Sequence, residues 1–232
     1  MKKIIFSLMA LMCTLSINAQ LIKVMKGNEV VATYTAAEAD NVVFEEVPTT
    51  GTAKATINGS EVDVKWVQLW AGGPKFAEYN VGVTDGKAES YGGYYCWGSS
   101  IEKDPSSRNT DNDPLTGTYD TATNLWGNKW RMPTKGEIEA LPAKCNSEWT
   151  EVNGIKGRKI TGKGDYASNS IFLPAAGYYT STSGVVGEES IGYFWSSTPF
   201  GSYEACSLHA GSGSYNDPRS EGHSVRAVLK EN

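Results

Sequence analysis

Histidine is scarce in this 232-residue chain: His209 and His223 are the only two, beside four cysteines. No Cys-x-x-Cys pair occurs, so the ligand spacing of a structural zinc site is missing. No Gly-x-Ser-x-Gly string occurs either, which removes the nucleophile elbow of the α/β-hydrolases. Basic residues are outnumbered, 21 Lys+Arg against 26 Asp+Glu, for a formal charge of −5. Without a basic tract or stripe, nucleic-acid binding has no electrostatic footing. No apolar run reaches the ~20 residues that cross a bilayer as a helix, so no transmembrane segment is expected. Helical periodicity is rare and no internal repeat is visible.

What the chain does have is 25 glycines, 12 tyrosines and seven tryptophans, a composition that leans towards a loop-rich, β-heavy fold. Its length suffices for one full domain and a small appendage. Met1-Lys2-Lys3 supplies a positive start, Ile4 to Leu15 an uncharged apolar run, and Ala19 a small residue before Gln20. This is the secretory pattern, with cleavage expected after Ala19. Losing Lys2 and Lys3 takes the formal charge from −5 to −7. Cys13 lies within the apolar run and follows Met12, where an acylated signal needs a small residue, so Cys13 reads as part of the export segment. The expected location is secreted, cell-surface or periplasmic.

Residues 20–47 read as a small β unit. Leu21–Val24 and Val30–Tyr34 flank the hairpin signal Lys26-Gly27-Asn28, and Asn41–Phe44 reads as a third strand. Residues 48–56, with Pro48-Thr49-Thr50-Gly51-Thr52, read as a linker. In the main domain, 57–232, short strands are expected at Glu61–Leu69, Gly93–Trp97, Ile155–Ile160, Ser170–Leu173, Gly192–Ser196, Ala205–Ala210 and Val225–Leu229. Thr134-Lys135-Gly136-Glu137 fits a capping box and predicts a helix whose length Pro142 limits. Asp120 is an N-cap candidate for a second, shorter helix.

The densest string is Trp126-Gly127-Asn128-Lys129-Trp130-Arg131-Met132-Pro133-Thr134-Lys135-Gly136-Glu137. It is preceded by Phe76-Ala77-Glu78-Tyr79-Asn80-Val81-Gly82. It is followed by Asn169–Tyr178, Tyr193-Phe194-Trp195-Ser196-Ser197 and Gly222–Val228. In this order the strings resemble the Fibrobacter succinogenes major paralogous domain, over roughly residues 57–229. That family is abundant in secreted and surface proteins of Bacteroidetes-type bacteria. The Arg131-Met132-Pro133-Thr134 string is also similar to one in formylglycine-generating-type enzymes. The resemblance implies an α+β, loop-rich, C-type-lectin-like domain with short antiparallel strands and one or two short helices, preceded by the small β unit. Three positions depart from the family: Tyr79 stands where Cys is frequent, Cys96 stands near where a small residue is usual, and Ala227 replaces a proline. By the resemblance Cys145 is the family-like cysteine, with Cys96 or Cys206 as a substitute partner. From the residues alone, which pair closes, if any, stays open.

Candidate site residues fall into three groups. Exposed aromatic faces give contact area at low entropy cost, which points to Tyr94, Trp97, Tyr178, Tyr179 and Tyr203. Trp66, Trp126, Trp130 and Trp195 read as core. Asp104, Asp111 and Asp113 offer the hard oxygens calcium takes, although Asp and Asn also populate ordinary turns and the Gly and terminal Glu of an EF-hand loop are missing. No other cofactor is expected. Structural roles are expected for Cys96, Cys145, Cys206, Thr134, Arg131 paired with a carboxylate such as Glu137, and Arg226. Cys206 alternates with Ser207 and His209, which puts the thiol on the apolar face and His209 on the surface. Glu188-Glu189 reads as a solvated pair of acids.

The function expected is a non-catalytic binding or adhesion module for an extracellular glycan or protein ligand. An extracellular enzyme related to the formylglycine-generating type, or a structural part of a surface assembly, are the alternatives.

Overall fold

The computed structural model describes residues 21–26, 29–35 and 48–230. The export segment with Cys13 and the third strand expected at Asn41–Phe44 lie outside them. The chain divides into two units, one ending at Val47 and the other beginning at Pro48. In the first, β1 (Leu21–Lys26) and β2 (Glu29–Thr35) pair antiparallel, from Leu21 opposite Thr35 to Lys26 opposite Glu29.

The second unit opens with β3 (Thr50–Ile57) and β4 (Ser60–Gln68). Most of the segment expected as linker is therefore strand, paired with β4 along its whole length. The turn residues Asn58 and Gly59 both have positive φ, at 51° and 76°, which is the Asn-Gly signature of a two-residue hairpin whose twist matches its strands. The Thr- and Gly-rich approach to that turn had masked it. Then come β5 (Lys75–Ala77), α1 (Thr121–Trp126), β6 (Trp130–Arg131) and α2 (Lys135–Lys144). A second Asn-Gly hairpin, at Asn153-Gly154, joins β7 (Asn146–Val152) to β8 (Ile155–Thr161). The remaining strands are β9 (Ser170–Pro174), β10 (Tyr178–Thr180), β11 (Gly184–Val186), β12 (Tyr193–Phe200), β13 (Glu204–His209), β14 (Gly213–Pro218) and β15 (Val228–Leu229).

They assemble into a five-stranded sheet, β3-β4-β5-β15-β6, two three-stranded sheets, β7-β8-β9 and β12-β13-β14, and the β10-β11 hairpin. All strand pairs are antiparallel. The described residues thus form a β-rich α+β fold with two short α-helices. No helix among them is long and apolar enough to cross a membrane.

Both helices start where the sequence predicts. Asp120 accepts from the Thr123 N–H at the N-terminus of α1. It also accepts from the Met132 N–H at 2.9 Å, fastening α1 to the strand that follows. Thr134 and Glu137 close the capping box of α2. Pro142 does not end that helix, which runs on to Lys144. Gly93–Trp97 is not a ladder strand. Its N–H groups go to three separate partners: Gly93 to Val81 O, Tyr95 to His223 O and Trp97 to Arg219 O. Only Val228–Leu229 of the expected last strand is in the sheet, while Val225 O and Ala227 O accept from Val81 and Ala77.

Strand alternation feeds two cores. Trp66, Trp97, Trp126, Trp130 and Trp195 share an aromatic core with Val64, Ala77 and Ala205. Leu69, Phe76, Ile138, Leu141, Ile160, Leu173, Phe194 and Leu208 form an aliphatic one. Phe194 and Leu208 face one side of β12-β13-β14, and Trp195 and Ala205 the other. That sheet divides the two cores.

Candidate binding site

The aromatic-core face of β12-β13-β14 continues to the surface as a cluster holding both histidines. Register explains it. Tyr193 pairs with His209, and Trp195 and Tyr215 each pair with Ser207. Period two then puts Tyr193, Ser207, His209, Tyr215 and Asp217 on a single face. The His209 ring lies between two tyrosines, with centroids 4.3 Å from Tyr193 and 4.2 Å from Tyr215. Its Nε2 is 2.7 Å from Asp217 Oδ2, the oxygen that also accepts from Ser207 Oγ. From the neighbouring hairpin Tyr178 packs on Tyr193 at 4.7 Å.

His223 forms the floor. It is fully buried and stacks on Trp195 at 3.9 Å and 13°. Its Nε2 is 3.3 Å from Glu221 Oε2. Its Nδ1 has no hydrogen-bond partner among the described residues and is 3.9 Å from Asp217 Oδ2. Burial pulls the His223 pKa below the usual imidazole range, and the carboxylates of Glu221 and Asp217 offset only part of that pull. Burial works on Asp217 too, but the bonds from His209 and Ser207 outweigh it and hold the carboxyl below its ordinary range.

Serine, histidine and aspartate meet here without forming a nucleophilic triad. In a triad the serine bonds the imidazole, which takes its proton. Here Ser207 donates to the carboxylate instead and is wholly buried. The thiols are no readier to attack. Cys96, Cys145 and Cys206 are free and buried, so the bridge implied for them by the family resemblance is not formed. Burial pushes Cys96 and Cys145 up to about 11 and raises Cys206. A protonated thiol is a poor nucleophile. Cys96 Sγ lies 3.2 Å from Ser220 O and Cys206 Sγ 3.2 Å from Asn216 Oδ1.

Of the aromatic candidates, Tyr178 belongs to this cluster. Tyr94 and Trp97 do not face solvent: the Tyr94 hydroxyl donates to Ala176 O at 2.6 Å, and the Trp97 indole donates to Ser196 O beneath the Arg219 guanidinium. Irregular chain on both sides covers them, where an isolated strand would have left one face open. Tyr179 points away from the cluster, towards Lys103. Tyr203 is 84% exposed and makes no ring contact among the described residues. His209, expected at the surface, is half-buried between its tyrosines. Sequence reading missed Tyr193, Tyr215, Asp217, Glu221 and His223 as a group. The alternation of Tyr215 and Asp217 after Gly211 and Gly213 was the available signal.

The acidic loop does not converge on a cation. Asp104 caps a 3-10 turn by accepting from Ser106. The carbonyl of Asp111 and the side chain of Asn112 bind Arg219, and Asp113 is exposed. Among the described residues no three His, Cys, Asp or Glu side chains gather as a metal-holding group.

Arg131 and Glu137 form a two-bonded pair at 2.7 and 2.6 Å. Arg226, fully buried, donates to Asn80 Oδ1, Ala77 O, Glu78 O and Phe172 O. Trp66, Trp126, Trp130 and Trp195 are core. Neither family models, curated proteins nor solved structures yield a match to this chain.

Proposed function

We propose that this is an exported, non-catalytic binding module of the Fibrobacter succinogenes major paralogous kind with a C-type-lectin-like architecture, and that its ligand is an extracellular glycan. The observation that carries the reading is the Tyr178–Tyr193–His209–Tyr215 cluster around Asp217 and Glu221. Tyrosine rings present apolar faces to the C–H face of a sugar, and carboxylate oxygens accept from its hydroxyls. Tyr215 is 46% exposed, so part of this surface is open to a ligand. The secretory pattern at the N-terminus agrees with an extracellular partner.

The test is a glycan-and-peptide array probed with the full chain, with and without chelator, alongside Tyr215→Ala and Tyr203→Ala. Glycan binding should fall roughly tenfold in Tyr215→Ala with an unchanged melting temperature, and persist in Tyr203→Ala. Binding confined to peptides, or indifferent to Tyr215, defeats the reading.

A further inference from the structure

On the other side of the dividing sheet lies a cavity of about 500 Å³ that the proposed glycan surface does not use. Its walls are mainly apolar, with Leu141 and Pro142 from α2, Ile160 from β8, Leu173 from β9 and Leu208 from β13, and Ser147 and Ser212 add hydroxyls. One cation stands among them, Arg158.

Arg158 differs from the chain's buried arginines. Arg226 and Arg219 spend their donors on backbone and side-chain oxygens. The Arg158 side chain makes no hydrogen bond or ion pair among the described residues, and its Nε is buried with no acceptor. The guanidinium is nevertheless held in place. The Trp149 ring, opposite it in the β7–β8 register, lies 5.5 Å away. Gly211 lies so close to it that a Cβ there would collide with it. A buried donor without an acceptor keeps the full cost of its lost hydration, and a guanidinium fork matches a carboxylate with two parallel bonds. The volume falls within the range of small-ligand sites.

We infer that this cavity binds an apolar chain ending in a carboxylate, the chain lying along Leu141, Ile160, Leu173 and Leu208 and the carboxylate accepting from Arg158. Two sources share that chemistry: a free aliphatic acid and the C-terminus of an apolar peptide.

Calorimetric titration of the full chain with decanoate, decan-1-ol and N-acetyl-leucyl-leucine tests the inference and separates the sources. At least one of the two carboxylates should bind, roughly tenfold more tightly than the alcohol. Arg158→Gln should erase that preference without lowering the melting temperature, and Arg158→Lys should restore part of it. Whichever acid binds through Arg158 identifies the source. The inference falls if neither acid binds at millimolar concentration, if decan-1-ol binds as tightly, or if Arg158→Gln keeps the preference. The outcome is independent of the glycan array, which reports on the opposite face of the sheet.

Discussion

The two cores on either side of β12-β13-β14 are built by different rules. In the aromatic core, direction decides. The indoles of Trp97, Trp130 and Trp195 donate to Ser196 O, Lys54 O and Tyr95 O, and Arg226 ties Asn80 and three carbonyls together. Each bond requires its partner at one distance and angle, so this half admits few alternative packings. In the aliphatic core, volume decides. Its side chains have no directional demand, and the packing leaves a cavity. Close packing is the norm in protein interiors. Bulk alone has not closed this space, whereas the pockets that border the aromatic half, at Tyr95 and Trp126 and at Leu115 and Met132, are smaller, about 340 and 260 Å³.

The sharpest way to break this comparison is to remove the hub of the directional half. Arg226→Ala strands four acceptors in a site with no water access, and should cost ~3–5 kcal/mol in urea unfolding. Burial lowers the Arg226 pKa to about 9, so the guanidinium is still charged at neutral pH and its loss is that of a charged donor. A cost below ~1 kcal/mol would mean that the aromatic half tolerates repacking after all.

Leu208→Ala probes the other half. A buried leucine truncated to alanine costs ~2–5 kcal/mol, with the larger values where a new void opens in tight packing. Leu208 already borders the cavity and forfeits fewer contacts, so the loss should fall near ~2 kcal/mol. A loss near ~5 kcal/mol would show that the aliphatic half is as tightly specified as the aromatic one.

The same contrast explains what the sequence made legible. Local rules were readable: the capping box at Thr134 and Glu137, the Asp120 cap, the alternation in β13, and the Arg131–Glu137 pair six residues apart. The paired strands β4, β8, β9, β12 and β13 also stood within a few residues of their expected bounds. What escaped was set by distant partners. Gly93–Trp97 has the composition of a strand, but its hydrogen bonds run to residues near 81, 219 and 223, so no ladder forms. Trp97 and Tyr94 looked like surface candidates because nothing nearby covers them; Arg219 and Ala176 do. The tyrosine–histidine cluster needed the β13–β14 register, which alternation alone leaves free by one residue. Arg158 carried no signal at all, since a missing partner is visible only in three dimensions.

The smallest effect concerns the base of the directional half and depends on pH. His223 is fully buried, and Asp217, Glu221, His209, Tyr193 and Tyr178 are the ionisable groups that face it. Burial depresses its folded pKa below the ~6.5 of an unfolded histidine. Below pH ~6.5 the unfolded chain therefore binds a proton that the folded chain refuses, and stability falls as the solution is acidified. The loss grows by at most ~1.4 kcal/mol per pH unit and stops once the folded pKa is passed. Asp217, also depressed, adds a separate loss in a lower window, below the ~3.9 of a free aspartate. Unfolding free energies from urea titrations between pH 8 and 5 should thus be level down to about pH 7 and then decline, by no more than ~1.4 kcal/mol per pH unit. His223→Gln should remove that decline while leaving the lower window in place. A wild-type profile level to pH 5 would mean that His223 takes up its proton in the folded state, with Asp217 Oδ2 accepting from its Nδ1–H, and the bond network around Trp195 would then tolerate a charge at its centre.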